Sequence, residues 1–250
     1  MNSQSAAAYS TFQGVPVPLG AWDRTLFWIT HYQGFVESFL RRRGMRPAKP
    51  LSYPLSAGAF LYDCFKKNRF QEKGRGVTVL PCPSIVERFD SFWAALKKKK
   101  SNLLLAVRNR EALDWHFKFA LQRGTAWIYV VEGNSGLAAY SIFLRHDFPP
   151  IGLRRVRLVD FQCLDQERAP DLLMAMLEAG VHRCRQESIH MLELDGVTPA
   201  FEERLERASP HHRHLPNWLY FYKARTPALS EILKNVAVWE PSLFDGDSSL

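Results

Sequence analysis

Residues 126–144 read "AWIYVVEGNSGLAAYSIFL". Two apolar runs flank Glu132-Gly133-Asn134-Ser135-Gly136, and Asn and Gly tolerate the positive φ angles of tight hairpin turns. The stretch therefore predicts two antiparallel strands. Upstream, "VTVLP" (77–81) predicts a short strand and "SIVERFDSFWAALKKKK" (84–100) an amphipathic helix. Ser84 is placed to cap that helix, Glu87 stands at the capping-box position, and Ile85, Phe89, Phe92, Trp93 and Leu96 share one face. "REALDWHFKFALQRG" (110–124) predicts a second helix ending at Gly124. Downstream, "LRRVRLVDFQCLD" (153–165) alternates Val156 and Leu158 with Arg155 and Arg157 before turning apolar, as a strand does. "APDLLMAMLEAGVHRCRQE" (169–187) predicts a helix with Pro170 in its first turn and a core face of Leu173, Met176 and Leu177. A strand (188–196), a helix (198–209), a strand (217–225) and a short helix (226–235) complete the order. The fold class expected is α/β in the α+β sense: a mixed, mostly antiparallel sheet with helices on both faces.

The 250 residues are 46% hydrophobic, enough for one good core and part of a second. Lys and Arg number 33 against 25 Asp and Glu, a net charge of +8 that favours an anionic partner. Cys64, Cys82, Cys163 and Cys184 lie far apart with no Cys-x-x-Cys pair, so packed thiols are expected rather than a zinc clamp, and no metal site is expected. The N-terminal "MNSQSAAAYSTFQGVPVP" has neither the basic start nor the apolar run of a secretory signal, and no run of about 18 apolar residues occurs. A cytoplasmic protein is expected, compatible with a peripheral membrane or homodimer contact. The sequence carries no helix-turn-helix, aromatic platform or zinc signature, which sets nucleic acid aside as a partner.

Residues 24–44, "RTLFWITHYQGFVESFLRRRG", mix strand-like and helical patterns, with a helix ending near Arg43 and stopped by Gly44. The basic, Gly-containing "KNRFQEKGRG" (67–76) marks a domain boundary.

The order of elements resembles that of the GNAT superfamily of acyl-CoA-dependent N-acyltransferases. "ERFDSFWAALKKKKSNLLLAVRNREALDWHF" (87–117) and the closing "WEPSLFDGDSSL" (239–250) resemble more closely the C-terminal GNAT-like domain of Fem-type, exopolysaccharide-associated tandem proteins. The resemblance implies a GNAT-like domain over residues 73–250, with residues 1–72 as a tail and linker left from a preceding domain of the same kind. It implies acetyl-CoA or another acyl-CoA as co-substrate and an amine as acceptor, with an amino sugar of a surface polysaccharide as one class. It also implies a donor region in "LVDFQCLDQERAPDLL" (158–173): Gln162, Leu164, Arg168, Ala169 and Asp171, with the helix N-terminus facing the pyrophosphate. Asp171 and Leu173 occupy positions where the family's phosphate turn carries glycine, and the helix "AFEERLERAS" lacks the family's tyrosine. These departures leave a second reading, a non-catalytic GNAT-fold binding or assembly module.

Acyl transfer to an amine needs a base for the amine proton and an acid for the leaving thiolate. Asp160, within an apolar strand, is the candidate base, the alternative being an Asp on a solvated side. Tyr220 and Tyr222 share a strand face; Tyr222 is the candidate acid, the alternative being packing. Cys163 reads as a packed thiol, and "HHRH" (211–214) as a solvated basic loop. The runs Arg41–Arg43 and Lys97–Lys100 each end a helix, where cations suit the dipole and stay solvated; phosphate binding is the sharper alternative. Trp115 and His116 are expected to fix their helix to the sheet.

Overall fold

A computed structural model describes residues 14–18, 23–65, 76–134, 136–196, 199–209, 211–214 and 219–245. The hairpin forms as β4 (Ala126–Gly133) and β5 (Gly136–Arg145), paired from Ala126↔Leu144 to Gly133↔Gly136 with a bulge between Val131 and Glu132. Gly136 takes φ +123°, a conformation that L side chains avoid and that the turn requires. Outside β4 lies β3 (Leu80–Cys82); on the other side β6 (Arg155–Cys163) continues the antiparallel ladder. β7 (Met191–Asp195) joins β6 in parallel, the connection running through α5 (Ala169–Gln186).

Beyond β7 the sheet departs from the expected plan. β2 (Arg24–Ile29) stands between β7 and β8 (His211–His214), antiparallel to both, so the sheet order is β3-β4-β5-β6-β7-β2-β8. Residues 24–29 enter the large sheet as a full strand, buried through the apolar run Leu26, Trp28 and Ile29. The segment "HHRH" likewise is a strand rather than a solvated loop, drawn into the ladder by its pairing with Arg24–Phe27. A separate ribbon joins β1 (Val15–Pro18) to β9 (Leu219–Tyr222).

Helices cover both faces. α5 and α6 (Pro199–Ala208) pack on one, over Leu26, Trp28, Phe143, Val156, Leu158, Leu192 and Leu194. α3 (Arg88–Lys99) and α4 (Arg110–Gln122) pack on the other, over Ile128, Val130, Tyr140 and Ile142. The face formed by Phe27, Glu193 and His211 is met by α1 (Tyr32–Arg42) and α2 (Ala48–Phe65), through Phe27 against Phe35 and His211 against Asp63. α7 (Pro227–Lys234) is capped by the Thr226 side chain. Each wholly buried Leu or Phe on these faces contributes about 1.5–3 kcal/mol, so the two clusters together supply the core.

The helix ends follow sequence logic in part. Asn109 caps α4 by accepting from the Ala112 amide at 2.9 Å, and Gly124 closes it at φ +67°. Gly44, at φ +70°, follows α1 as expected. Ser84 does not cap α3: its carbonyl accepts from Cys82 Sγ, and the helix begins at Arg88 with Glu87 making no side-chain cap bond. Trp115 does not anchor α4, being 76% exposed, whereas His116 packs against Phe244 at 5.0 Å between ring centroids.

Candidate functional site

β6 and β7 pair only from Arg155↔Met191 to Leu158↔Leu194, while β6 runs on to Cys163. The two strands therefore separate, and among the described residues β6 beyond Leu158 has no strand partner on the β7 side, the Cys163 carbonyl there accepting from Gln166 Nε2 at 3.2 Å. In this fork lies a cavity of about 290 Å³ whose lining includes Leu158, Asp160, Gln162, Asp195, Lys100 and Glu240. α5 adds Leu173, α6 adds Phe201 and Leu205, and the C-terminal segment adds Trp239 and Ser242, so both faces of the sheet contribute.

A bulge decides which side chains meet here. Ile142 pairs with Asp160 and Phe143 with Leu158, so Val159 has no counterpart on β5. An extra residue shifts the alternation by one. Leu158 consequently packs toward α5, and Asp160 turns to the opposite face beside Tyr140. There Arg108 Nε donates to both Asp160 oxygens, at 3.2 and 3.0 Å, and the Tyr140 hydroxyl donates to Oδ2 at 2.7 Å. Arg108 also reaches Ser242 Oγ at 2.9 Å and Asp245 at 3.1 Å. Burial by itself would lower the Arg108 pKa, but the charges of Asp160 and Asp245 outweigh it and hold it above the usual value. Burial pushes the Tyr140 hydroxyl well above its usual value, with the Asp160 charge adding to it. The network is a satisfied cluster that ties β6 to the turn at residues 242–245.

Asp195 is different. It ends β7 at 3% exposure; Oδ1 accepts from Thr25 Oγ1 at 2.6 Å, while Oδ2 is buried with no hydrogen-bond partner and Arg157 Nε stands 3.7 Å away. Burial raises its pKa above the ordinary carboxylate value, against the lowering effect of Arg157. A buried carboxylate with an open oxygen in a cavity wall is equipped to take a proton or to hold an amine.

Lys100 is the second residue that sequence reasoning missed. Lys97 to Lys99 end α3 on the surface, but Lys100 is buried, its Nζ donating to Gln162 Oε1 at 3.1 Å and pairing with Glu240. The signal available was the position of Lys100 one residue past the helix, where the chain turns inward.

Of the residues expected in the donor region, Gln162 lines the cavity, whereas among the described residues Leu164, Arg168, Ala169 and Asp171 stand outside its lining. Leu164 is half-buried, with its amide bonded to the Ala138 carbonyl at 2.9 Å. Ala169, the first residue of α5, is buried in the core, and Arg168 is exposed at the N-cap position. Asp171 forms an ion pair with Arg204 of α6, so its charge is met by protein. The turn into α5 is filled by the chain itself: the Asp165 carboxylate accepts from the Glu167 amide at 3.1 Å and the Arg168 amide at 3.2 Å, and Pro170 has no amide hydrogen to offer. Tyr222 is buried in the β9 region, its hydroxyl 3.4 Å from Ser230 and outside the cavity lining. Burial pushes the Cys163 thiol up to about 11, in keeping with a packed group. No group of three or more metal-ligating side chains occurs among the described residues.

Neither a protein-family model nor a curated protein sequence matches this chain. Solved structures do align with its fold. A predicted acetyltransferase with acetyl-CoA from Clostridium acetobutylicum aligns at 15% identity, over 51% of this chain and 88% of that one, with a TM-score of 0.39. The Saccharomyces cerevisiae N-myristoyltransferase with bound myristoyl-CoA aligns at 11% identity, over 80% of this chain and 48% of that one, with a TM-score of 0.47. L-PGS from Bacillus licheniformis aligns at 11% identity, over 93% of this chain and 69% of that one, with a TM-score of 0.38. At these identities and scores the functional reading rests on the cleft.

Proposed function

We propose that the chain is a GNAT-like N-acyltransferase that moves an acyl group from a coenzyme A thioester to an amine in the fork between β6 and β7. The observation that carries this reading is the edge of β6 that β7 leaves uncovered, beside a cavity that holds Asp195 with one free oxygen. An extended thioester arm suits a strand edge that no neighbouring strand covers, where main-chain groups are placed to pair with an extended ligand. In the reaction the amine nitrogen attacks the thioester carbonyl carbon, a C–N bond forms and the C–S bond breaks. The amine proton passes to Asp195, and the leaving thiolate takes a proton from the Lys100 ammonium in the cavity wall. Asp160, the sequence-based choice of base, is committed to Arg108 and Tyr140 and serves in this scheme to shape β6. Tyr222, with its hydroxyl beside Ser230, takes no part. The acceptor class we favour, an amino sugar of a surface polysaccharide, rests on the resemblance of residues 87–117 and 239–250 to exopolysaccharide-associated proteins.

A second reading, a non-catalytic module of the same fold, is favoured by one observation: the Asp165 carboxylate occupies the amides that would otherwise face a pyrophosphate at the start of α5. Thermal unfolding with and without acetyl-CoA and longer acyl-CoAs separates the two. A thioester at about a hundred times its dissociation constant stabilises by about 2.7 kcal/mol, and the acyltransferase reading expects such a shift, reduced by Arg168→Glu. An unchanged midpoint with every thioester, from folded protein, moves the assignment to the module.

A further inference from the structure

We propose that the outward face of α2 docks on an anionic lipid bilayer. The helix is inverted relative to a surface helix of an ordinary soluble domain. Its buried positions are Ala48, Ser52 and Asp63, with Ala59 half-buried among them, a small and polar stripe turned toward the protein. Its large apolar side chains are mostly left uncovered: Leu51, Tyr53, Leu55, Leu61 and Phe65 are exposed, Phe65 at 84%, while Phe60 is half-exposed with its ring set edge-on to Tyr32 of α1. An apolar surface of this extent marks a docking site. No helix among the described residues is long and apolar enough to cross a membrane, so α2 would lie along the interface rather than span it.

Charge selects the occupant. From Tyr32 to Phe65 the sequence has five basic residues, all exposed: Arg41 and Arg42 at the end of α1, Arg43 and Arg46 in the turn that follows, and Lys49 in the first turn of α2. The only acids in that span are Glu37, paired with Arg41, and Asp63, buried and bonded to Tyr32 at 2.8 Å and to His211. Arg43 additionally lies over the exposed Phe39 ring at 5.2 Å. A second copy of this face would bring arginines with no acid to meet them, whereas anionic headgroups supply the missing charge along a plane and the acyl region beneath takes the aromatic and aliphatic side chains.

The test is flotation of the full chain with vesicles of equimolar phosphatidylglycerol and phosphatidylcholine, against vesicles of phosphatidylcholine alone. The expected result is binding to the anionic vesicles, weakened by salt. Two variant sets, Leu61→Ser with Phe65→Ser, and Arg42→Glu with Arg43→Glu and Arg46→Glu, should each lower the partition coefficient about tenfold or more. All these side chains are exposed, and an unchanged melting curve confirms that the variants fold. Cys64 is the exposed cysteine of the four, so an environment-sensitive dye attached there should shift to the blue on adding anionic vesicles. The proposal is overturned if the wild-type chain stays unbound with anionic vesicles at low salt, or if binding survives the apolar substitutions. It is equally overturned if vesicles are ignored and light scattering shows a dimer that the apolar substitutions disperse, which would give the face to a second copy.

Discussion

Asp160 and Asp195 are buried carboxylates on the neighbouring strands β6 and β7, and both line the same cavity. Asp160 has three donor contacts, from Arg108 to each oxygen and from Tyr140. Asp195 has one, from Thr25, and its second oxygen has none. Burial alone therefore does not distinguish the two acids; the count of satisfied lone pairs does, and it is the ground on which Asp195 rather than Asp160 is proposed as the base. The Asp160 oxygens are taken up by Arg108 and Tyr140 and have little room for a further partner, whereas the Asp195 carboxylate, with one oxygen unpaired and a raised pKa, is closer to the driving force that general-base catalysis needs.

The contrast breaks most readily at Arg108. Arg108→Met leaves Asp160 and Asp245 without their shared cation in a buried place, and loss of one partner from such a pair costs about 3–5 kcal/mol; urea unfolding measures it. A loss below about 1 kcal/mol would mean that the network is not what holds Asp160.

Asp195→Asn sharpens the other side. Thiol release from acetyl-CoA in the presence of an amine acceptor should fall by about two to four orders of magnitude, while the fold survives. The stability of this variant also carries a sign. Because the folded-state pKa of Asp195 is raised, its protonated form is favoured by folding. The stabilisation from proton uptake is full below the unfolded-state value and is lost as pH rises through the folded-state value. The wild-type melting temperature relative to that of Asp195→Asn should therefore decline with rising pH across that interval, and a relative rise would show that the carboxylate is stabilised in its charged form. The smallest effect is expected for Tyr140→Phe, about 1 kcal/mol, because Asp160 keeps Arg108 when the hydroxyl is gone.

Much of the sheet was legible in the residues. The β4–β5 hairpin, the Asn109 and Gly124 ends of α4, and the Pro170 start of α5 follow from turn and cap chemistry that acts over a few positions. The site was less so, because its decisive features are non-local. A period of two places Leu158 and Asp160 on one side, and only the unpaired Val159 sends them to opposite faces. Gln162, expected from the family resemblance to face a donor, lines the cavity. Lys100 hid in a run of lysines, where its burial depends on Gln162 and Glu240, residues 62 and 140 positions away. Asp195 carried no local mark, since the isolation of Oδ2 arises from where β7 stops relative to β6. Strand β8 escaped because His211 and His212 resemble a polar loop until β2 provides a ladder.

The place of β2 bears on how the chain reaches this state. Residues 80–163 form their four strands from successive antiparallel neighbours, a set of short closures that assemble early. The first strand of the large sheet instead waits for the last two, since Trp28 pairs with Leu192 and Leu26 with His212. On a ribosome, the run Leu26 to Ile29 emerges long before β7 and β8 exist, with an apolar edge and no ladder to enter. Completion of the sheet thus joins segments about 160 to 190 residues apart in sequence, and the fork that holds the cavity closes only after β7 has been made.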